Sequence, residues 1–265
     1  MKLLSFAIAG LLLGGSAYAQ GLHDIAPGGT LRAVYLGSNP AQAMRDARSG
    51  ELVGPSAELA RELGRRIGVP VEMKPISGPP QVIEEVASGR ADIGFVAYEP
   101  SRAGSVEFSQ TYTLVRQTCL VLEDSHIRSV ADIDRSGQKI AGTVNDSITL
   151  YLRRTLKNAT LVAIENIPED NKKRLLAKEF DAFGANRQRL TTWMKEVPGT
   201  RVLPDNLFGV PQTIIVPKGK PAVLESVNRF IDEARTSGLI QKGIEAAGLI
   251  GVDVAPAGSW TPSVP

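Results

Sequence analysis

Apolar residues recur along this chain at two spacings, one typical of amphipathic helices and the other of buried strands. The segment 55–67 has apolar residues at helical spacing, begins with Pro55 and is followed by Gly68, as expected of a helix with a proline start and a glycine stop. Short apolar runs around it predict strands at 31–35, 69–76 and 92–97, with a further helix at 81–88. This βαβαβ order predicts parallel strands joined by right-handed crossovers.

A second unit of the same kind is predicted in the later part of the chain. Its strands are expected at 138–143, 160–165 and 181–185, and its helices at 147–157, 169–180 and 186–196. Two long extended apolar segments, 113–122 and 209–216, come before and after this unit, and helices at 222–236 and 239–247 follow. The chain is therefore expected to leave one lobe, build a second, and return through two hinge crossovers.

These patterns predict an α/β chain with a two-lobed architecture. The expected boundaries are a signal peptide at 1–19, lobe 1 at 20–115 plus 212–254, lobe 2 at 116–211 and a flexible tail at 255–265. Ligands in open α/β sheets bind beyond the carboxyl ends of the strands. We therefore expect a binding site in the cleft between the lobes.

The first residues predict export. Lys2 precedes an apolar stretch at 3–13, and a run of small residues ends in Ala17-Tyr18-Ala19, which is typical of a signal peptide cleaved after Ala19. The alternative, a membrane anchor, is disfavoured because the apolar stretch is shorter than the ~20 residues that a spanning helix needs. We expect the protein in the periplasm of a bacterium with two membranes.

The composition excludes several classes of protein. The formal net charge of +2 lacks the basic excess of a nucleic-acid-binding protein, so no nucleic acid is expected as a partner. Cys119 is the one cysteine and lies in an apolar run, which favours a buried side chain over a reactive thiol. His23 and His126 are far apart in sequence, so no metal site is predicted. No cofactor motif is present either, and we expect no cofactor.

Separated motifs resemble the polar amino-acid-binding proteins of ABC importers, which are solute-binding proteins of family 3 with the type II periplasmic binding protein fold. The motifs lie at 31–34, 52–63, 92–95, 100–102 and 106–112, and the resemblance extends from about residue 31 to residue 249. It implies a protein without catalytic activity that binds a small carboxylate-bearing molecule, an amino acid or related organic acid, between its lobes. It also implies a monomer that delivers this solute to an inner-membrane ABC permease.

Arg102 is the first candidate ligand-binding residue. The resemblance implies that it grips the carboxylate of the solute. The chemistry suits this role, because a guanidinium offers a rigid fork of donors that matches a carboxylate and stays charged at any working pH. The alternative is a surface ion pair with Glu99 or Glu107.

A second candidate feature is the sequence Asn145-Asp146-Ser147 at the start of a predicted helix. The resemblance places a glycine and two hydroxyl residues here, whose amides and hydroxyls complete the carboxylate site. A helix N-terminus attracts anions. The alternative is an ordinary N-cap, because Asn, Asp and Ser are preferred there. Asp146 brings a negative charge, so we expect it to point away or to meet a donor on the ligand.

Other positions depart from the family pattern. Asn186 stands where the family has an aspartate that pairs with an α-ammonium. Asn39 and Gln42 lie where an aromatic clamp is usual, and Leu36 replaces an acid. These four residues weaken the case for a standard α-amino acid, and the first three are candidates to contact the ligand.

The segment from Asp92 to Arg102 is two residues shorter than the common form of the family, and its loop carries Tyr98 and Glu99 as further candidates. Glu99 is the remaining carboxylate that could meet an ammonium, although a solvated position is more usual for such a residue. Together these departures favour a small carboxylate with fewer or differently placed amines.

An enzyme on the same scaffold, similar to cyclohexadienyl dehydratase, is the alternative function. Such a reaction requires a general acid or base in the cleft. Glu99 and Asp146 are the acids expected near the site, and their spacing does not indicate an acid–base pair. Binding without catalysis is therefore the leading hypothesis.

Overall fold

A computed structural model describes residues 22–258, so the predicted signal peptide at 1–19 and residues 259–265 lie outside the described range. The strands are β1 (Leu31–Leu36), β2 (Met44–Arg45), β3 (Leu52–Val53), β4 (Val71–Ile76), β5 (Ile93–Ala97), β6 (Val106–Phe108), β7 (Thr113–Leu122), β8 (Lys139–Thr143), β9 (Thr160–Ile164), β10 (Ala182–Asn186), β11 (Thr200–Val202), β12 (Phe208–Pro217) and β13 (Val252–Val254). The α-helices are α1 (Pro55–Ile67), α2 (Pro79–Ala87), α3 (Ser147–Thr155), α4 (Pro168–Leu176), α5 (Arg187–Glu196), α6 (Pro221–Thr236) and α7 (Leu239–Ala246). Two short 3₁₀ helices lie at Pro100–Arg102 and Val130–Asp132.

One continuous sheet runs through the molecule in the order β4-β1-β5-β12-β7-β10-β8-β9. The strands β4, β1 and β5 are parallel to one another, as are β10, β8 and β9. We call the first parallel set with α1, α2, α6 and α7 lobe 1, and the second parallel set with α3, α4 and α5 lobe 2. The predicted two-lobed α/β fold is confirmed.

The two long strands β7 and β12 join the lobes. They pair with each other antiparallel, with Thr113 opposite Gln212 and Gln117 opposite Phe208. Further along, β12 pairs with β5 in lobe 1 and β7 pairs with β10 in lobe 2. The predicted lobe boundaries at 115/116 and 211/212 fall within this paired region, and they stay a prediction.

Each lobe has apolar residues packed on both faces of its sheet. In lobe 1, Leu59 and Leu63 on α1 are fully buried, because the apolar stripe of the helix lies against the sheet. In lobe 2, Ile148 and Leu152 on α3 pack against one face, and Phe183 and Trp193 stack at 4.8 Å between ring centroids on the other. These two cores hold the ends of β1, β5, β8 and β10 at the junction between the lobes.

Two differences from the sequence-based prediction concern the ends of segments, and the short strands β2, β3, β6, β11 and β13 were not predicted. The helix expected at 169–180 ends at Leu176, and Lys178 takes a left-handed backbone conformation with a φ of 58°. This turn carries Phe180 into the core, where it is 1% exposed. The expected frayed tail does not begin at Ala255, because that residue is 1% exposed and its amide donates to the carbonyl of Tyr112 at 3.1 Å.

Cys119 lies in the middle of β7 and is fully buried, as the apolar run around it predicts. Burial raises the pKa of its thiol to about 12, and the negative charge of Asp205 acts in the same direction. Because the thiolate is the reactive form, this cysteine serves as a small packing residue. Within residues 22–258, helices long and apolar enough to cross a membrane are absent.

Gly142 allows α3 to lie close against β8. A Cβ atom at this position would be 2.4 Å from the Oγ1 of Thr149, a buried hydroxyl that donates to the carbonyl of Thr143 at 2.6 Å. A side chain here would push the helix away from the sheet or break this hydrogen bond. The position of the N-terminus of α3 therefore depends on a glycine in β8.

We expect Gly142→Ala to lower the free energy of unfolding by about 1–3 kcal/mol, as is typical of overpacking. Urea denaturation followed by circular dichroism measures the change. Gly104→Ala is the matched control, because a Cβ atom there would meet no atom within 4 Å, and its effect should stay within about 0.5 kcal/mol. Equal midpoints for Gly142→Ala and wild type would contradict the close packing of α3.

Candidate functional site

A cavity lies between the two lobes at the carboxyl ends of the parallel strands. It contains about 490 Å³ of space that protein atoms do not fill, part of it open to solvent. Lobe 1 lines it with Leu36, Ser38, Asn39, Pro79, Ala97 and Arg102. Lobe 2 lines it with Asp146, Ser147, Ile148, Asn186 and Arg189. The crossover strands contribute Val115, Gln117, Val210 and Gln212.

Arg102 reaches this cavity from a 3₁₀ turn that follows β5. Its Nη1 donates to the carbonyl of Ala97 at 2.9 Å, and its Nη2 donates to the carbonyl of Asn145 in lobe 2 at 2.5 Å. The surface ion pair considered from sequence does not form, because the guanidinium meets these two carbonyls. Burial lowers the pKa of Arg102, while the negative charges of Glu99 and Asp146 act to raise it.

The backbone just before α3 is left-handed at Asn145, the position where the resemblance places a glycine. Asn145 has a φ of 62°, a left-handed conformation that Asn adopts more readily than most residues. Its carbonyl accepts from Arg102, and the residue lines a neighbouring surface groove. Ser147 is the first residue of α3 and lines the cavity. The structure therefore brings the helix N-terminus and Arg102 together.

Asp146 occupies the N-cap position of α3, but its carboxylate makes no hydrogen bond to the helix amides. The carboxylate lies inside the cavity, 3.4 Å from Nη1 of Arg189, with 32% of its side-chain surface accessible. Desolvation raises the pKa of Asp146, while Arg189 and then Arg102 act to lower it. Of the two alternatives expected for Asp146, pointing away does not hold, because the residue lines the cavity and meets an arginine of the protein. That Asp146 meets a donor on the ligand stays a prediction.

Arg189 was not predicted from the sequence. Its side chain is 8% exposed, and its Nη2 donates to Oδ1 of Asn166 at 2.8 Å. The guanidinium also lies over the ring of Trp193, 5.7 Å from the centroid. Desolvation lowers the pKa of Arg189, and Asp146 opposes this effect. The sequence did offer one signal for Arg189. The residue lies in the first turn of α5, directly after β10, and the end of β10 was expected to reach the ligand.

Asn186 and Asn39 meet across the cavity. The Nδ2 of Asn186 donates to Oδ1 of Asn39 at 3.2 Å, so lobe 2 is hydrogen-bonded to lobe 1 here. Oδ1 of Asn186 also accepts the backbone amide of Arg189 at 2.8 Å and thereby caps α5. Both asparagines line the cavity as uncharged groups.

Gln42 and Tyr98 lie outside the cavity lining. Gln42 is fully buried, where its Oε1 accepts the amide of Leu36 at 2.9 Å and its Nε2 donates to Oε1 of Gln212 at 3.0 Å. Gln42 is thus hydrogen-bonded to two residues that line the cavity, Leu36 and Gln212. The ring of Tyr98 packs edge-on against Phe108, with 5.1 Å between centroids. The geometry gives neither residue direct access to a solute.

Glu99 is also outside the lining, and it is not solvated either. Its side chain is 4% exposed and accepts a hydrogen bond from Nη1 of Arg154 at 2.7 Å. Arg154 belongs to α3, so this ion pair joins lobe 1 to lobe 2 beside the cavity. Glu99 therefore holds the lobes together and does not offer a free carboxylate to a ligand.

The described residues 22–258 do not assemble three or more His, Cys, Asp or Glu side chains into a group that could hold a metal ion. The polar chemistry of the cavity consists of two guanidinium groups, one carboxylate, and several hydroxyl and amide groups. Such a set is suited to binding an anion through charge-assisted hydrogen bonds.

The paired crossover strands and the cavity between two α/β lobes define the class of two-lobed solute-binding proteins. A family model for bacterial extracellular solute-binding proteins, family 3, matches residues 31–246, and the chain belongs to this family. A glutamine-binding protein of Geobacillus stearothermophilus is 24% identical over 176 residues. That match covers 64% of this chain and 66% of the relative, just under two thirds of its length.

Solved structures share the fold. The amino acid ABC transporter substrate-binding protein AbpA from Streptococcus pneumoniae, bound to L-arginine, superimposes with a TM-score of 0.70 and 21% identity, over 84% of this chain and 96% of that one. The ancestral amino-acid-binding protein AncCDT-1, a precursor of cyclohexadienyl dehydratase, superimposes with a TM-score of 0.69 and 24% identity, over 85% and 97% of the two chains.

We expect Arg154→Gln to open the cleft. The substitution leaves the Glu99 carboxylate buried without its charged partner, and separating the lobes lets water reach it. Small-angle scattering should show a larger radius of gyration, and the free energy of unfolding should fall by about 1–2 kcal/mol. Arg153→Gln, an exposed neighbour on the same helix, should change neither. Superimposable scattering curves for Arg154→Gln and wild type would contradict a role for this ion pair in closure.

Proposed function

We propose that this protein is the exported substrate-binding component of an ABC importer, and that it binds a small carboxylate-bearing solute, an amino acid or related organic acid, between its lobes. One observation carries the proposal: Arg102 from lobe 1 and the N-terminus of α3 from lobe 2 meet at one cavity. A fixed guanidinium and a helix N-terminus are two groups that bind carboxylates well.

The carboxylate takes over a hydrogen bond that the protein makes to itself. Nη2 of Arg102 donates to the neutral carbonyl of Asn145, and a carboxylate is a stronger acceptor than an amide carbonyl because it is charged. Ser147, at the first turn of α3, offers a hydroxyl from the opposite lobe. A solute held by groups from both lobes stabilises the arrangement in which those lobes lie close together.

Closure of the lobes follows from the same geometry. The crossover strands β7 and β12 are the connections between the parallel sets, so a small change of their backbone angles moves one lobe against the other. The closed form would then dock on an inner-membrane permease and release the solute to it. The family, the glutamine-binding relative and the neighbours from amino acid ABC transporters support transport as the function. We further propose a signal peptide at 1–19, the periplasm as location and a monomer as the working form.

Catalysis is not part of this proposal. A dehydratase on this scaffold would need a general acid or base beside its substrate, and within residues 22–258 Asp146 is the acidic side chain that lines the cavity. Its carboxylate faces Arg189, and the positive charges of Arg189 and Arg102 both act to lower its pKa. Incubation with prephenate or arogenate should leave both compounds unchanged, whereas turnover would replace binding by the enzymatic function.

Isothermal titration calorimetry with amino acids and organic acids should find at least one carboxylate solute. For that solute, we expect Arg102→Ala to weaken binding by at least about 30-fold, or about 2 kcal/mol, because a charge-assisted hydrogen bond in a desolvated cleft is lost. Arg48→Ala, at an exposed arginine of lobe 1, should bind as wild type. Binding that survives Arg102→Ala within a few-fold would remove Arg102 from this role.

A further inference from the structure

The lining of the cavity carries one net positive charge. Among the described residues, its charged side chains are Arg102, Arg189 and Asp146. All other lining residues are uncharged. A solute with one net negative charge therefore balances the cavity, whereas a zwitterion leaves the excess positive charge in place.

The single carboxylate of the lining is already engaged. Asp146 lies 3.4 Å from the guanidinium of Arg189, which is 8% exposed, and the charge of Arg102 also acts on it. A solute ammonium that met Asp146 would share this carboxylate with Arg189, and the buried guanidinium would then keep only part of its counter-charge. Glu99 offers no substitute, because it is paired with Arg154 outside the cavity.

The uncharged polar side chains of the lining are suited to an uncharged polar group on the solute. Six side chains of the lining offer hydroxyl or amide groups: Ser38, Asn39, Gln117, Ser147, Asn186 and Gln212. Such groups both donate and accept, and they therefore match hydroxyl, keto and amide groups. Aromatic rings are missing among the described lining residues, so the cavity provides no ring face for an ammonium by cation–π contact.

We infer that the solute is the anion of a small aliphatic carboxylic acid that carries a hydroxyl, keto or amide group in place of an α-ammonium. This inference rests on the proposed function and narrows its solute class. Arg102 and the N-terminus of α3 hold the carboxylate. The serine and amide side chains hold the neutral polar group, and Asp146 stays paired with Arg189.

Matched pairs of compounds test this directly. Each pair has one carbon skeleton, differs in the α-substituent, and compares a monoanion with a zwitterion: glycolate and glycine, L-lactate and L-alanine, L-glycerate and L-serine. Calorimetry on the full chain should show that, in each pair with a binding member, the hydroxy acid binds at least tenfold more tightly. If the amino acid binds more tightly, the inference is overturned while the proposed function stands. If no member of any pair binds, the inference falls, and binding of no acid from the wider panel would remove the proposed function too.

Asn186→Asp provides a second test. The substitution is nearly isosteric, and Asp caps a helix as well as Asn does, so α5 should keep its start. It adds a free carboxylate to the cavity, and the preference for the hydroxy acid over its amino acid should fall at least tenfold. Asn206→Asp is the matched control, because this exposed residue accepts from Arg187 away from the cavity. An unchanged preference in Asn186→Asp would contradict charge balance as the basis of selectivity.

Discussion

The structure depends on the pairing of two ten-residue strands, Thr113–Leu122 and Phe208–Pro217. Phe208–Pro217 pairs with β5 of lobe 1, Thr113–Leu122 pairs with β10 of lobe 2, and the two strands pair with each other at 113–117 and 208–212. Because both connections pass through one short paired region, the lobes share an axis about which they can move. The cavity lies at this axis, and its floor includes Gln117 and Gln212 from the two strands.

Desolvated charge is the second organising feature. Arg102, Asp146 and Arg189 lie between two lobes that remove water from them, and the pKa of each is shifted by that loss of hydration. Asp146 and Arg189 form an ion pair at 3.4 Å, whereas the guanidinium of Arg102 meets two backbone carbonyls and no carboxylate among the described residues. A desolvated charged group gains more from a new counter-charge than a fully hydrated one does. This difference is the basis of the selection by charge that we infer.

The order of the longer helices and strands follows from the spacing of apolar residues, and in the units at 31–97 and 138–196 their ends were predicted to within four residues. The short strands β2, β3, β6, β11 and β13 were missed, because two or three residues give no periodic signal. In the site, Arg102 and Ser147 came from motifs and do line the cavity. The ion pair of Arg189 with Asp146 and the burial of Glu99 against Arg154 were not predictable, because both depend on contacts between segments far apart in sequence.

The hydrogen bond from Arg102 to the carbonyl of Asn145 bears on the energetics of the proposed recognition. In the proposed role of Arg102, a solute carboxylate would replace this carbonyl as acceptor, and the number of hydrogen bonds would stay nearly constant. The driving force would then be the difference in acceptor strength between a carboxylate and a peptide carbonyl. An ester or amide derivative of the solute would offer an acceptor no better than the one it displaces, so Arg102 would discriminate against neutral derivatives.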